Sequence, residues 1–154
     1  METYYSTKKL TNKDVTVTLV ADEDIQAVAG YDKVTDREYR KVYTANANES
    51  VDVYDIAGNK TVVTVDISNI DRTAPEVTAT YSTKELTNGN VEVTLTTDED
   101  VRSIEGFTKV DDRTYKKTYT SNAKEDVTVY DKAGNKTVVT VEVTNIDKTA
   151  PEVK

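Results

Sequence analysis

The 154-residue sequence contains no cysteine, no histidine and no tryptophan, and only two prolines and five glycines. Without cysteine there is no disulfide, and neither a thiolate nucleophile nor a thiolate metal site can be built. Without histidine the commonest general base and the usual zinc sites are gone. There is no Gly-rich phosphate loop, and no serine stands in a Gly-x-Ser-x-Gly turn. No apolar run approaches the roughly 20 residues of a membrane-spanning helix. No signal peptide is visible, and Met1 leads straight into strand-like sequence, so the chain reads as a segment of something longer. A carboxylate pair could serve glycoside hydrolysis in principle, but small units offer no deep cleft, so no enzymatic activity is expected.

Charge is abundant at 31% of residues, with a net charge of −8. It divides evenly, since residues 1–75 hold 13 acids and 9 bases, and residues 76–154 hold 15 and 11. An acidic surface of this kind disfavours nucleic acid and anionic lipid and attracts cations. Only 36% of residues are hydrophobic, a low share for a globular chain. Valine and threonine are nevertheless plentiful, and both fit the pleated surface of a sheet.

The chain repeats itself. Tyr5-Ser6-Thr7-Lys8 returns as Tyr81-Ser82-Thr83-Lys84, and the same 76-residue offset carries Gly30 to Gly106, Tyr39 to Tyr115, Asp55 to Asp131 and Pro75 to Pro151. Residues 57–65 and 133–141 are identical. Two tandem units follow, 1–72 and 73–154, with a short extended linker at about 69–76. Pro75 fixes its own φ and biases Ala74 away from the helical region, and the stretch lacks glycine, so the joint is expected to be stiff.

Within a unit the apolar period is two, the mark of half-buried strands. Strands are expected over 2–6 and 76–82, over 15–21 (Val15, Val17 and Leu19 on one face), and over Ile25 to Ala29 up to Gly30. Others are expected around Val34, over Glu38 to Thr44, at Val51–Val53 and over Val63–Ile67. Ala57-Gly58-Asn59 supplies turn chemistry between the last two. About seven short strands with regular turns predict an all-β fold of two Greek-key β-sandwiches. Tyr39 and Tyr43 share a face with Lys41, and Tyr115, Lys117 and Tyr119 repeat the pattern. An inward lysine admits two readings: an amide cross-link to an asparagine, or a stem laid along the rings with its ammonium reaching water.

Asp55 to Asn59 and Asp131 to Asn135 each open with Asp-x-Ala-Gly-Asn, followed by a Val/Thr-rich strand and then Asp-x-Thr-Ala-Pro (Asp71 to Pro75, Asp147 to Pro151). In this order and at this period the chain resembles, over essentially its whole length, tandem bacterial immunoglobulin-like domains of surface and secreted proteins. The resemblance implies two immunoglobulin-like sandwiches, an extracellular or cell-surface location, adjacent repeats of the same parent chain as partners, and a monomeric spacer or presentation module of an adhesin-type protein. It also implies Ca²⁺ as a cofactor, since some such adhesins stiffen their linkers with it.

Strand order sends the loop after the second strand (Asp98-Glu99-Asp100 in the second copy) and the Asp131 turn to the end where the linker enters. Asp71, Asp98, Asp100 and Asp131 are therefore the candidate metal ligands, with Asp22, Asp24 and Asp55 as the incomplete equivalent set in the first copy. Asn12, Asp14, Asn46 and Asn48 at the neighbouring end are candidates to complete the shell. Converging carboxylates beside carbonyl oxygens suit a hard cation. The competing reading is that Asp55 and Asp131 cap their own turns and the acidic run is a solvated tip. In the alternative to a spacer, the chain is a binding module for a host glycan or protein, presenting Tyr54, Tyr130 and the Tyr31/Phe107 pair.

Overall fold

Alternating valine and threonine become twelve antiparallel-paired strands in the computed structural model, which describes residues 1–154. Contacts gather into two compact units, Met1–Arg72 and Thr73–Lys154. The first contains β1 (Glu2–Tyr5), β2 (Val15–Val20), β3 (Asp32–Thr35), β4 (Glu38–Tyr43), β5 (Ala47–Tyr54) and β6 (Lys60–Ile67). The second repeats them as β7 (Val77–Tyr81), β8 (Val91–Thr97), β9 (Thr108–Asp111), β10 (Thr114–Tyr119), β11 (Ala123–Tyr130) and β12 (Lys136–Val143). No helix forms.

Each unit has a four-stranded sheet, ordered β1-β2-β4-β3 or β7-β8-β10-β9, and a two-stranded sheet, β5-β6 or β11-β12. On β2, Val15, Val17 and Leu19 are fully buried, and they stand opposite Tyr43, Lys41 and Tyr39 of β4. The facing sheet supplies Val51, Val53, Val65 and Ile67 to the same core cluster. Val91, Val93, Leu95, Val127, Val129, Val141 and Val143 do this in the second unit. The two sheets of a unit thus enclose one core, as in a β-sandwich, and each fully buried valine or leucine is worth roughly 1.5–3 kcal/mol.

One expected strand does not form. Residues 25–29 make only an isolated bridge, Ile25 to Asp55, and Val101 to Asp131 in the repeat. The buried residues there are Ile25, Val28 and Tyr31, three apart rather than two, a spacing that no strand can place on one face. The segment instead closes a turn in which the Tyr31 N–H donates to the Val28 carbonyl at 3.1 Å, with Gly30 at φ 81°. The four-residue β3, by contrast, does form, hairpinned to β4 with a register shift.

The end of each unit is tied down. In the first, Thr11 N–H donates to the Asn69 carbonyl (2.9 Å) and Asp71 N–H to the Thr11 carbonyl (2.8 Å). The Asn46 side chain satisfies both backbone groups of Ile70, donating at 3.0 Å and accepting at 2.9 Å. Asn69 donates to the carbonyls of Thr7 and Lys9. Asn122, Thr87 and Asn145 repeat this lattice around Ile146.

Candidate functional site

The Asp-x-Ala-Gly-Asn turn is built around its own aspartate. Asp131 Oδ1 accepts from the N–H groups of Ala133 (2.9 Å) and Asn135 (2.8 Å), and its Oδ2 accepts from Asn135 Nδ2 at 2.9 Å. Asp55 is held likewise by the Asn59 N–H and Nδ2, both at 2.8 Å. Gly58 (φ 95°) and Gly134 (φ 99°) supply the left-handed residue that the turn requires. Asp131 is 1% exposed. Burial alone would raise its pKa, but the hydrogen bonds from Asn135 and from the turn hold it below the usual aspartate value. Asp55 is also held low, first by the Asn59 side chain.

A second carboxylate meets each capped aspartate. Glu99 hydrogen-bonds to Asp131, and their oxygens lie within 4.8 Å of one another. In the first unit Glu23 takes the corresponding place, and its pKa is raised because it shares a hydrogen bond with Asp55 and is repelled by it. Two carboxylates in contact must hold either a proton or a cation between them. Turn capping and cation binding, alternatives at the level of sequence, therefore bear on the same side chain. An all-oxygen donor set of this kind suits a hard cation rather than a soft metal.

Among the remaining expected ligands, the carboxylates of Asp98, Asp100 and Asp24 have partners, while Asp22 and Asp71 are held through backbone groups. Asp98 Oδ1 accepts from the Glu76 N–H at 2.8 Å. Asp100 pairs with Arg113 Nε at 2.9 Å, and that guanidinium also donates to the Asp98 carbonyl at 3.2 Å. Arg37 holds Asp24 and the Asp22 carbonyl in the same way. These exposed arginine pairs tie the acidic loop to the β3–β4 or β9–β10 hairpin and contribute little energy individually. Asp71 is anchored within the first unit by its N–H. Asp14 pairs with Arg72, and Asn46 is occupied with Ile70. The residue missed by sequence reasoning is Glu99, with its repeat Glu23. The signal was its central place in the Asp-Glu-Asp run, since neighbouring side chains in an irregular loop need not share a direction.

A second cluster lies between the sheets of each unit. Ala47, Glu49, Val51 and Val53 alternate on the inner side of β5, so Glu49 points toward Lys41 of the opposing sheet. Its Oε1 accepts from Lys41 Nζ at 3.1 Å and also from the Tyr43 hydroxyl. Tyr43 in turn shares a 2.7 Å hydrogen bond with the Tyr31 hydroxyl. The Lys41 ammonium lies 4.6 Å from the Tyr43 ring centre and 5.7 Å from that of Tyr31. Lys117, Glu125 and Tyr119 repeat the arrangement, with Lys117 Nζ 2.8 Å from Glu125. Tyr43 and Tyr119 are pushed well up, chiefly by burial and then by the adjacent glutamate. Glu49 is held low first by Tyr43 and then by Lys41, and Glu125 first by Lys117 and then by Tyr119. Lysine thus meets glutamate and tyrosine rings across the sandwich. Tyr31 is buried and Phe107 half-buried in the cores, whereas Tyr54 and Tyr130 are 38% and 41% exposed.

No protein-family model matches the chain, and no curated protein is significantly similar to it in sequence.

Proposed function

We propose that the chain is a non-catalytic spacer, two tandem immunoglobulin-like units of a bacterial surface or secreted protein that extend or present other parts of that protein. The observation that carries this reading is how each unit holds its own end of the seam. Asn69, Ile70 and Asp71 are bonded into the first unit. In the second unit Pro75 is buried, its carbonyl accepts from the Thr137 hydroxyl at 2.5 Å, and Glu76 exchanges hydrogen bonds with Asp98. Only Arg72, Thr73 and Ala74 lie between these anchored stretches, too few residues for a flexible coil. The repeated sandwich with its Asp-x-Ala-Gly-Asn turn supports the immunoglobulin-like assignment.

In this proposal Ca²⁺ binds the carboxylate pair at the linker end of a unit, Glu99 with Asp131, and Asp71, four residues before Pro75, is the candidate for a further ligand. A cation that binds only the folded form must stabilise it, by about 2.7 kcal/mol at a hundredfold excess over Kd. Thermal melts in EDTA and in millimolar Ca²⁺ test this, alongside small-angle scattering under both conditions. A Tm and scattering profile indifferent to Ca²⁺ reject the metal, and a flexible profile in both rejects the stiff spacer. Asp71→Ala then asks whether the linker aspartate contributes.

A further inference from the structure

The missing strand at residues 25–29 leaves an edge open. The Tyr54 carbonyl accepts from the Gln26 N–H at 2.8 Å, so the backbone of Tyr54 faces away from β6. β5 pairs with β6 without a register shift, and backbone direction alternates along a strand. The N–H and C=O groups of Asp52 and Ser50 therefore face the same way as those of Tyr54. Beyond the Gln26 contact no backbone hydrogen bond joins residues 27–30 to β5, and Ser50 and Asp52 are exposed. A groove of about 420 Å³ opens there, lined by Ala27, Ala29, Lys41, Glu49, Asp52 and Tyr54 among others. The second unit repeats it. Arg102 N–H donates to the Tyr130 carbonyl, Thr128 and Asp126 take the places of Asp52 and Ser50, and the groove is about 620 Å³.

We propose that this open edge of β5, and its repeat on β11, takes up an extended cationic segment of another protein as an added strand. The recurrence of the groove at the same register in both units makes it a property of the unit rather than of one loop. Charge selects the occupant. Lys41 and Lys117 are already paired with Glu49 and Glu125, which leaves Asp52 on one groove and Glu105 with Asp126 on the other. A second copy of β5 would set Glu49 and Asp52 against like charges, which disfavours self-pairing. A strand of alternating lysine and valine has both the donors for the free carbonyls and the charge for the rim. The exposed Tyr54 ring at one groove end offers a face to its ammonium groups, whereas the Tyr130 ring already has the Arg102 guanidinium 5.9 Å from its centre.

The test is an NMR titration of the ¹⁵N-labelled chain with the peptide Lys-Val-Lys-Val-Lys-Val-Lys. Two further peptides carry N-methyl groups on either the lysines or the valines only. Saturable shifts are expected at the amides of Ser50, Asp52, Asp126 and Thr128, and one methylated peptide should bind about tenfold more weakly than the other, because only alternate N–H groups face the edge. No saturation, shifts confined to the Glu23 and Glu99 ends, or equal binding of both methylated peptides would overturn the proposal. Ser50→Pro with Asp126→Pro adds a protein-side check, since those N–H groups do not pair with β6 or β12. A folded double variant that still binds also overturns it, and the peptide arms stand on the native chain if the variant fails to fold.

Discussion

Leu95→Ala offers a measurement with an internal control. Leu95 is fully buried, between Ala79 of β7 and Tyr115 of β10 in register, and it belongs to the core cluster of the second unit alone. Truncation removes the transfer energy of the lost carbons and leaves a cavity that a tyrosine-lined, sheet-bound site collapses into poorly. Leucine-to-alanine changes at such sites cost about 2–5 kcal/mol, and about 3 kcal/mol is the central expectation here. At about 4–8 °C per kcal/mol for a domain of this size, the second unit should melt about 12–24 °C lower. The first unit has its own core around Leu19 and should be unmoved. Calorimetry should therefore resolve two transitions in the variant, and amide exchange should assign the lower one to residues 73–154. Leu19→Ala should give the mirror result. One transition shifted as a whole would refute independent cores, and a loss below about 1 kcal/mol would refute the packing argument.

Two further outcomes follow from polar and backbone features. Glu49 and Glu125 titrate below their ordinary value of 4.5 in the folded chain, so their contribution is complete above that value and is lost as pH falls through their depressed folded pKa values. Urea midpoints should hold from about pH 7 to 5 and drop below about pH 4.5, and Glu49→Gln with Glu125→Gln should flatten that drop. An equally steep acid loss in the double variant would place the titration elsewhere. Gly58→Ala introduces a Cβ that meets nothing within 4 Å, yet φ is +95°; its cost is conformational only, about 1–2 kcal/mol by urea denaturation, and a neutral result would mean that the turn relaxes.

Much of the fold was legible from residue order. Val15, Val17 and Leu19 announce a half-buried strand because side chains alternate about a pleat, and the 76-residue offset doubles every such signal. Gly58 and Gly134 mark their turns because few other residues adopt positive φ. The Asp131 cap was legible for the same local reason, since its partners lie within four residues. Long-range pairing decided the rest. Residues 25–29 contain enough apolar residues for a strand, but their three-residue burial spacing appears only once they meet the core beside β5. Glu49 shares the inner phase of β5 with Val51, and its reason for being there, Lys41 and Tyr43 on the opposite sheet, is a meeting of two strands that neither encodes alone. Asp98, Glu99 and Asp100 are chemically near-equivalent in sequence. Tertiary structure separates them, giving Asp98 to the Glu76 amide, Asp100 to Arg113 and Glu99 to Asp131, because loop direction is set by what the surrounding strands bring within reach.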